Sequence, residues 1–362
     1  MCVSAYGPAH GVEAKGVTGM VTIRDVAQQC GVSVSTVSRV INDHPDVSER
    51  VRRRVHVAID ELSYVPNKAA QDLVHPQGDS IGVIVRGADN PFYVPIVRAI
   101  EEVCELAGYA MVMCQLSDDA DEVGQAAALV KSKRLKGVIL LGGHFDYDAS
   151  TGAVIGVPFA CCTFTNCFGS LDRGTYSSVS IDDVAEAERA TQLLLDTGHR
   201  TIALLTPATD DQSISELRYK GFRSALGKAK VPLDEGLVLE TGSFSMASAY
   251  EATAGLVGRR RDVTAIFAIS DAMALAAMKA LAEAGRRVPE DVSLVAIDGL
   301  EVSLYSVPTL TTLVQPTQTM GERAAQILID QIEGRGQARH VRLPTDLRTG
   351  GTLVRPPGTS TP

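Results

Sequence analysis

Short apolar runs alternate with stretches of helical spacing through most of the chain, and this alternation constrains the fold more than any other feature. The runs begin with SIGVIV at residue 80 and continue with YAMVMC, GVILLGG, FACCTF, TIALLTP, LVLETG, AIFAI and SLVAID. Helical stretches such as PIVRAIEEVCELAG and SDAMALAAMKALAEAG lie between them. The alternation predicts parallel sheets covered on both faces by helices. Because the strands are too many for one compact layer, we expect two doubly wound lobes with a small-molecule cleft at the carboxyl ends of the strands.

The segment VTIRDVAQQCGVSVSTVSRVIND, residues 21–43, has a different pattern that predicts a small two-helix unit. Thr22 can cap a helix that runs from Ile23 to about Cys30, and an acidic residue follows in its first turn. Gly31 can adopt the left-handed conformation that ends a helix, and Ser33 can cap the next one.

The second of these helices has one apolar and one polar side. At 100° per residue, the apolar side carries Val37, Val40 and Ile41, and the polar side carries Ser35, Ser38, Arg39 and Asn42. Small hydrogen-bonding groups and one arginine suit contacts to base edges and phosphates in a major groove. The alternative is the solvated face of an ordinary helical hairpin.

The next segment, PDVSERVRRRVHVAIDELSYVP, supplies a third helix that can close a core over the hairpin. Ser48 is a candidate cap, and Val51, Val55 and Ile59 follow at helical spacing. Residues 21–74 carry seven basic and seven acidic residues, whereas the whole chain has a net charge of −9. The contrast fits a small nucleic-acid-binding head on an acidic body.

A short segment after Pro66, NKAAQDLVHPQGDS, predicts a hinge. Asn67 can cap a helix through about Val74, but so few residues do not form a stable isolated helix. One interpretation is a plain linker. The other is a helix that forms only against a partner copy and DNA, with Leu73 wedged into the minor groove.

Several classes of protein are disfavoured by what the chain lacks. The first 20 residues show no basic start followed by an apolar run, and no apolar stretch approaches the roughly 18–20 residues that span a bilayer. The seven cysteines are scattered and form no CxxC pair, so we expect reduced thiols. Catalytic motifs such as GxSxG, GxxxxGK[ST] and HExxH are absent. We therefore expect a cytoplasmic, non-enzymatic protein without a cofactor or metal.

These residues together resemble the lac-repressor-type (LacI/GalR) family of bacterial transcription regulators over roughly residues 21–355. The resemblance lies in TIRDVAQQCGVSVSTVSRVIN, VSERVRRRVHVAIDELSYVPN, the hinge AQDL, and the later echoes NPFY, GHRTIALL, RYKGFRSAL, AGRRVPEDVSLVAID and PTLTTLVQP. It implies a helix-turn-helix head and a body of two periplasmic-binding-protein-like lobes. It also implies operator DNA, a second copy of the chain and a small effector as partners.

The resemblance assigns roles to individual positions of the head. Val34, Ser35 and Arg39 match positions that read bases. Leu73, with Ala70 in the same hinge, matches the intercalating segment. The positions that touch or orient phosphates are matched by Thr22, Ser33, Thr36, Ser38, Asn42, Tyr64 and Asn67.

In the body, Arg218 matches an arginine that grips ligand hydroxyls or carboxylates, and Asp298 matches an aspartate facing it across the cleft. The other expected effector contacts are Asn90, Phe92, Tyr93, Thr163, Phe244 and Ser270. The residues themselves leave other interpretations open: a surface ion pair for Arg218, a turn cap for Asp298, and core positions for Phe92 and Phe244.

Three positions of the expected effector site depart from the family pattern. Ser270 stands where the family commonly has asparagine, Gly299 where it has a second aspartate, and Thr163 where aspartate is frequent. A pentose, hexose or glycoside is the leading expectation, and a nucleoside or purine is the alternative. A solute-binding protein for a sugar transporter would share the two lobes but needs no head.

The expected organisation has five parts. They are a disordered extension over 1–20, a helix-turn-helix domain over 21–66, a hinge over 67–79, a body over 80–355 and a tail over 356–362. Within the body we expect one subdomain at 80–178 plus 312–336 and the other at 179–311 plus 337–355. The C-terminal segment LRTGGTLVRPPGTSTP has no leucine heptad, so we expect a dimer and no coiled-coil tetramer.

Overall fold

The computed structural model describes residues 21–41, 47–62, 64, 79–87, 90–117 and 120–356. The chain divides into two compact units, residues 1–77 and 78–362. Several expectations lie outside the described residues: the extension over 1–20, the hinge helix, and the contacts expected from Asn42, Asn67, Ala70 and Leu73.

The first unit contains three described helices, α1 (Ile23–Cys30), α2 (Val34–Ile41) and α3 (Glu49–Glu61). The predicted start and end of α1 are confirmed. The backbone N–H and the hydroxyl of Thr22 both donate to the Asp25 carboxylate at 2.7 Å, and Gly31 ends the helix at φ 60°. Local capping therefore sets the turn between α1 and α2.

The core of this unit is small and apolar. Val26, Val37 and Val55, one from each helix, are fully buried at its centre, and Val40 is 2% exposed. The apolar side predicted for α2 is therefore the side that packs on α1 and α3, which leaves its polar side outward.

The second unit contains two six-stranded sheets. The first has the order β11-β5-β4-β3-β1-β2 and is parallel throughout. Its strands are β1 (Ser80–Arg86), β2 (Ala110–Leu116), β3 (Gly137–Leu141), β4 (Phe159–Cys162), β5 (Ser177–Ser180) and β11 (His340–Arg342). Strands β1, β3 and β4 are nearly continuous buried runs, as expected of a parallel sheet covered on both faces.

The second sheet has the order β12-β10-β9-β8-β6-β7 and is parallel except for β12, which pairs antiparallel with β10. Its strands are β6 (Ile202–Thr206), β7 (Val238–Glu240), β8 (Ala265–Ala268), β9 (Ser293–Asp298), β10 (Thr311–Val314) and β12 (Asp346–Arg348). The predicted pair of doubly wound parallel lobes is confirmed.

Eight described helices cover the two sheets. They are α4 (Tyr93–Leu106), α5 (Glu122–Lys133), α6 (Thr151–Ile155), α7 (Asp183–Asp196), α8 (Ile214–Lys228), α9 (Met246–Arg259), α10 (Asp271–Glu283) and α11 (Thr317–Ile332). Helix α11 packs on α4 and on strands β3, β4 and β5, so it returns the chain to the first lobe.

The expected subdomain limits differ from the observed sheets at three places. Residues 179–180 complete strand β5, which pairs with β4 and β11, so they belong to the first lobe and not to the second. Strand β10 (Thr311–Val314) pairs with β9, so residues 312–314 belong to the second lobe and not to the first. Strand β11 (His340–Arg342) pairs with β5, so it belongs to the first lobe and not to the second. The chain therefore crosses between the lobes three times, as the sequence indicated, but each crossing lies a few residues later than expected.

Helices α7 and α8 approach each other closely at Gly221. A Cβ atom there would lie 2.2 Å from the carbonyl oxygen of Val184 and 2.8 Å from the Cβ of Ala187. A side chain larger than hydrogen would separate the two helices.

Candidate functional site

The polar side of α2 is accessible in the first unit. Ser33, Val34, Ser35 and Arg39 are exposed, and Thr36 and Ser38 are half-buried. Val34 is 40% exposed although it is apolar, which leaves it available for contact with a partner surface. Thr22 is exposed, and Tyr64 is half-buried against the helical core.

Hydroxyl groups are concentrated at the start of α2. The Ser33 Oγ accepts a hydrogen bond from the Thr36 N–H at 3.1 Å, so it caps the helix as predicted. The same Oγ lies 2.8 Å from the hydroxyls of both Ser35 and Thr36. The positive end of the helix dipole and these three hydroxyls form a surface suited to phosphate oxygens.

Arg218 lies at the centre of a buried polar site in the second unit. Its side chain is on α8 and only 1% exposed, so the surface ion pair considered from the sequence is excluded. Its Nε donates to the Asp183 Oδ1 at 3.0 Å, and its Nη1 donates to the Ile269 carbonyl and lies 3.6 Å from the Asp298 Oδ1. Its Nη2 is buried and has no hydrogen-bond partner among the described residues.

The position of Asp298 corrects one expectation. Asp298 ends β9 of the second sheet and Arg218 lies on a helix of the same lobe, so the two form an ion pair within one lobe and do not face each other across the cleft. Asp298 has φ 137°, which is rare for a residue other than glycine. Gln315 fixes it by donating from Nε2 to Oδ1 at 2.9 Å and from its N–H to the Asp298 carbonyl at 3.0 Å.

Burial raises the pKa of the Asp298 carboxyl to about 7, although Arg218 opposes the rise. Between the ordinary pKa near 3.8 and the folded value near 7, the native state therefore holds a proton that the unfolded state has released. The free energy of unfolding should fall as the pH rises through this window, by up to about 1.4 kcal/mol per pH unit.

Chemical denaturation of the wild type and of Asp298→Asn at pH 4 to 8 tests this pH dependence. The variant cannot ionise at this position, so its stability should decline less between pH 4 and 7. Asp346→Asn, which changes an exposed carboxyl, should follow the wild type. Parallel curves for wild type and Asp298→Asn would show that Asp298 does not titrate in the folded protein within this range.

Asp183 is the site residue that sequence reasoning missed. It is the first residue of α7, directly after the N-cap Asp182, and it is 5% exposed. Burial raises the pKa of its carboxyl and Arg218 opposes the rise. The Asp-Asp pair at the start of an amphipathic helix was a visible signal, but either carboxylate could have been the cap.

Ser270 and Asp271 serve the second lobe itself. The Ser270 Oγ accepts from the Met273 N–H at 3.3 Å and so caps α10. Asp271 is fully buried and accepts from the Leu300 N–H at 2.8 Å and from the hydroxyls of Ser303 and Thr312 at 2.5 Å. These contacts engage the Asp271 carboxylate inside the lobe.

The aromatic residues expected to contact the effector have different environments. Phe92 is 6% exposed within the main hydrophobic core, so the core interpretation holds for it. Tyr93 is half-buried with its ring centroid 5.6 Å from that of Phe92, and Phe244 packs half-buried against the same core. The Asn90 Oδ1 accepts from the Phe92 N–H at 3.0 Å.

Thr163 continues the chain beyond β4 with φ 77° and is 7% exposed. Its N–H donates to the carbonyl of Val179 at 2.8 Å, which ties the end of β4 to β5. The structure therefore places Thr163 at the carboxyl edge of the first sheet, where the sequence predicted a cleft.

Two further buried polar groups were missed from the sequence. Asn166 lies in the loop after β4, where its Nδ2 donates to the Tyr147 carbonyl at 3.0 Å and its Oδ1 has no partner among the described residues. Ser215, on α8 and almost one turn before Arg218, has a buried Oγ that is likewise unpartnered within the described part of the chain.

Helix α8 of the second lobe touches the first lobe beside these groups. Ile214 and Leu217 pack against a buried cluster of the first lobe that includes Phe145, Tyr147 and Phe164. The Lys220 Nζ lies 4.6 Å from the centre of the Phe168 ring. Asn166 and Ser215 therefore belong to facing elements at the junction of the lobes. Together with the free Nη2 of Arg218, they offer donors and acceptors that a polar ligand could satisfy.

A separate groove of about 480 Å³ lies at the amino end of β6, away from Arg218. Its most prominent charge, Arg260, is compensated by Asp234 at 2.8 Å and by Asp262 at 2.9 Å.

Across the described ranges, no three His, Cys, Asp or Glu side chains are placed to hold a metal ion. In the same ranges no helix is long and apolar enough to cross a membrane.

A helical head with an accessible polar helix, joined to a two-lobed body with a buried polar site, defines a ligand-responsive DNA-binding regulator. Residues 22–67 match the family described as bacterial regulatory proteins, lacI family, and residues 191–353 match the periplasmic binding protein-like domain. The chain belongs to the lacI family of bacterial regulatory proteins, which confirms the resemblance drawn from the sequence.

The chain is similar over nearly its whole length to known regulators. It is 37% identical over 327 residues to the HTH-type transcriptional regulator MalR of Clostridium butyricum, covering 90% of this chain and 97% of that protein. It is 32% identical over 315 residues to the ribose operon repressor of Escherichia coli (strain K12), covering 86% and 93%.

Among solved structures, the lac repressor dimer bound to operator and the anti-inducer ONPF matches with a TM-score of 0.76 at 27% identity, covering 93% of this chain and 100% of that one. The complex of the transcriptional regulator CelR with cellobiose matches with a TM-score of 0.68 at 33% identity, covering 92% and 100%.

Proposed function

We propose that this chain is a transcriptional repressor that binds a palindromic operator as a homodimer and is released by a small sugar or glycoside. The observation that carries the proposal is the Nη2 of Arg218, a buried donor without a partner among the described residues, in a body attached to a head with an accessible polar helix. The relatives support it, since one is named a ribose operon repressor and another is solved with cellobiose.

In this proposal, α2 enters the major groove of each half-site. The groove admits a helix, and two heads related by twofold symmetry meet two half-sites. Val34, Ser35 and Arg39 contact bases, with Val34 limited to apolar contact such as a thymine methyl. The phosphate contacts are assigned to Thr22, Ser33, Thr36, Ser38, Asn42, Tyr64 and Asn67, and Leu73 with Ala70 to the minor groove.

The effector site is assigned to the junction of the two lobes. Arg218 and Asp298 hold the ligand, and Asn90, Tyr93, Thr163, Phe244 and Ser270 lie around it. Phe92 acts from the core by supporting Tyr93, whose ring is 5.6 Å away. Ligand binding changes the angle between the lobes, and the marginal hinge helix folds or melts in response.

A purine or nucleoside co-repressor is the second candidate, since the HTH-type transcriptional repressor PurR of Photobacterium profundum is 30% identical over 328 residues. In that case the ligand would strengthen operator binding. A solute-binding role is disfavoured by the DNA-binding head. We further infer that the protein acts in the cytoplasm and catalyses no reaction, because its relatives are regulators.

Arg39→Ala tests the assignment of α2. The exposed arginine supplies one base contact, and alanine favours the helix, so specific operator affinity should fall about ten- to a hundredfold with the fold unchanged. Binding to random duplex, which depends on phosphates, should change little, and the salt dependence should be kept.

Gel shifts with operator and random duplexes at several salt concentrations measure both the specific operator affinity and the affinity for random duplex. Arg287→Ala removes the same charge from an exposed position of the body and is the matched control, which should bind both duplexes like the wild type. An equal loss on both duplexes with Arg39→Ala would show that Arg39 contacts only the backbone.

A further inference from the structure

Acidic groups outnumber basic ones among the buried side chains of the described residues. Four buried carboxylates, those of Glu122, Asp183, Asp271 and Asp298, stand against one buried guanidinium, that of Arg218. Ionised groups away from water are tolerated only when they are paired or when their charge is neutralised. The excess of buried carboxylates therefore affects whether a charged or an uncharged ligand can bind in this interior.

The charge of Arg218 is already compensated before any ligand binds. Asp183 contacts the Nε at 3.0 Å, and Asp298 lies 3.6 Å from the Nη1. With Asp183 ionised in its ion pair with Arg218, the three groups together carry a charge of 0 when Asp298 is protonated and −1 when Asp298 is ionised. In neither case does Arg218 leave positive charge for a ligand.

The neighbouring cations are compensated as well. The Lys220 Nζ is 2.7 Å from the Glu216 Oε1 and is half exposed. The Arg348 Nη2 lies 3.4 Å from Asp271 in the second lobe. The Arg348 Nε is also buried without a hydrogen-bond partner among the described residues, although Asp271 balances the charge of its guanidinium. The free polar atoms beside Arg218 on the facing elements of the two lobes are neutral, namely the Asn166 Oδ1 and the Ser215 Oγ.

We propose that Asp183 makes the effector site selective for uncharged polyhydroxylated ligands and against their phosphorylated or oxidised, anionic forms. The inference rests on the proposed function and adds the charge class of the effector and the residue that sets it. A neutral hydroxyl can accept from Nη2 and donate to Asn166 or Ser215, so each partner completes a hydrogen bond. An anion would meet Asp183 and Asp298 in a site of low dielectric, where the repulsion is strong.

The test compares matched ligand pairs on the full chain. Isothermal titration is run with ribose, glucose and cellobiose and with ribose 5-phosphate, glucose 6-phosphate and cellobionate. The wild type should bind at least one neutral sugar and should bind its anionic counterpart at least tenfold more weakly. Asp183→Asn, which removes one negative charge, should reduce that preference at least tenfold.

Asp182→Asn is the matched control, because Asp182 is the neighbouring residue and asparagine also caps helices. It should keep the wild-type preference. If circular dichroism shows that Asp183→Asn does not fold, Asp183→Ser replaces it. The comparison of neutral and anionic ligands on the wild type does not depend on either variant and tests the predicted charge preference directly.

Three outcomes overturn the inference, and they can be told apart. A wild type that binds an anion as tightly as its neutral counterpart, or an unchanged preference in the folded Asp183 variant, removes the inference and leaves the proposed function. A wild type that binds no member of either set removes the proposed sugar effector and the inference with it.

Discussion

Replacing Arg218 with alanine is expected to lower the free energy of unfolding of the body by about 3–5 kcal/mol. The change leaves Asp183 and Asp298 buried without their common cation, and their exposure of only 5% gives water little access. The loss should be smaller at pH 5 than at pH 8, since the raised pKa of each carboxyl lets it take up a proton in acid. Effector binding should also be lost.

Denaturant unfolding of the full chain measures this effect. Adding Asp183→Asn and Asp298→Asn to the alanine variant removes the uncompensated charges and should restore much of the stability at pH 8. Arg287→Ala, whose side chain is 70% exposed beside Asp291, should cost less than about 1 kcal/mol. A loss of under 1 kcal/mol for Arg218→Ala would mean that the buried carboxylates do not depend on this cation.

Replacing Gly221 with alanine should destabilise the second unit by about 1–3 kcal/mol and weaken effector binding. The new Cβ would lie 2.2 Å from the backbone oxygen of Val184, which cannot move without shifting α7. Helix α7 carries Asp183 and α8 carries Arg218, so separating the helices also separates the ion pair at 3.0 Å. The stability and the ligand response should therefore fall together.

Gly227→Ala on the same helix provides the control for Gly221→Ala. No atom lies within 4 Å of its Cβ position, and alanine is the better helix former, so its stability should stay equal or rise by about 0.5–1 kcal/mol. Thermal unfolding with and without a bound sugar measures both properties. Equal stability of the two variants would show that α7 and α8 adjust freely at Gly221.

The helical head was the most predictable part of the fold because its signals are local. The start of α1 after Thr22 and its end at Gly31 depend on residues within the same turn, and capping chemistry is readable from sequence. The apolar face of α2 follows from its spacing alone.

Strands were predictable where their residues are apolar and were missed where they are polar. Strand β5, SSVS, is fully buried, but its Ser178 bonds to His340, which is distant in sequence. Strand β10, TTLV, has Thr312 hydrogen-bonded to Asp271. Partners so far away in the sequence make a polar strand compatible with burial, and hydropathy carries no sign of them.

The site was only partly predictable for the same reason. The resemblance pointed to Arg218 and Asp298, which the structure brings to 3.6 Å. Asp183 precedes Arg218 by 35 residues and joins it only because α7 and α8 pack side by side. Sequence position did not distinguish it from Asp182, whose side chain caps the helix.

The most direct test selects duplexes from a random library with the full chain and then adds sugars to its complex with the enriched duplex. It shows whether sugar binding by the body changes DNA binding by the helix-turn-helix head of the same protein. We expect an enriched inverted repeat, and a bound sugar should weaken operator affinity by about 5- to 150-fold. Enrichment of no sequence, or an operator affinity that no tested sugar alters, would contradict this expectation.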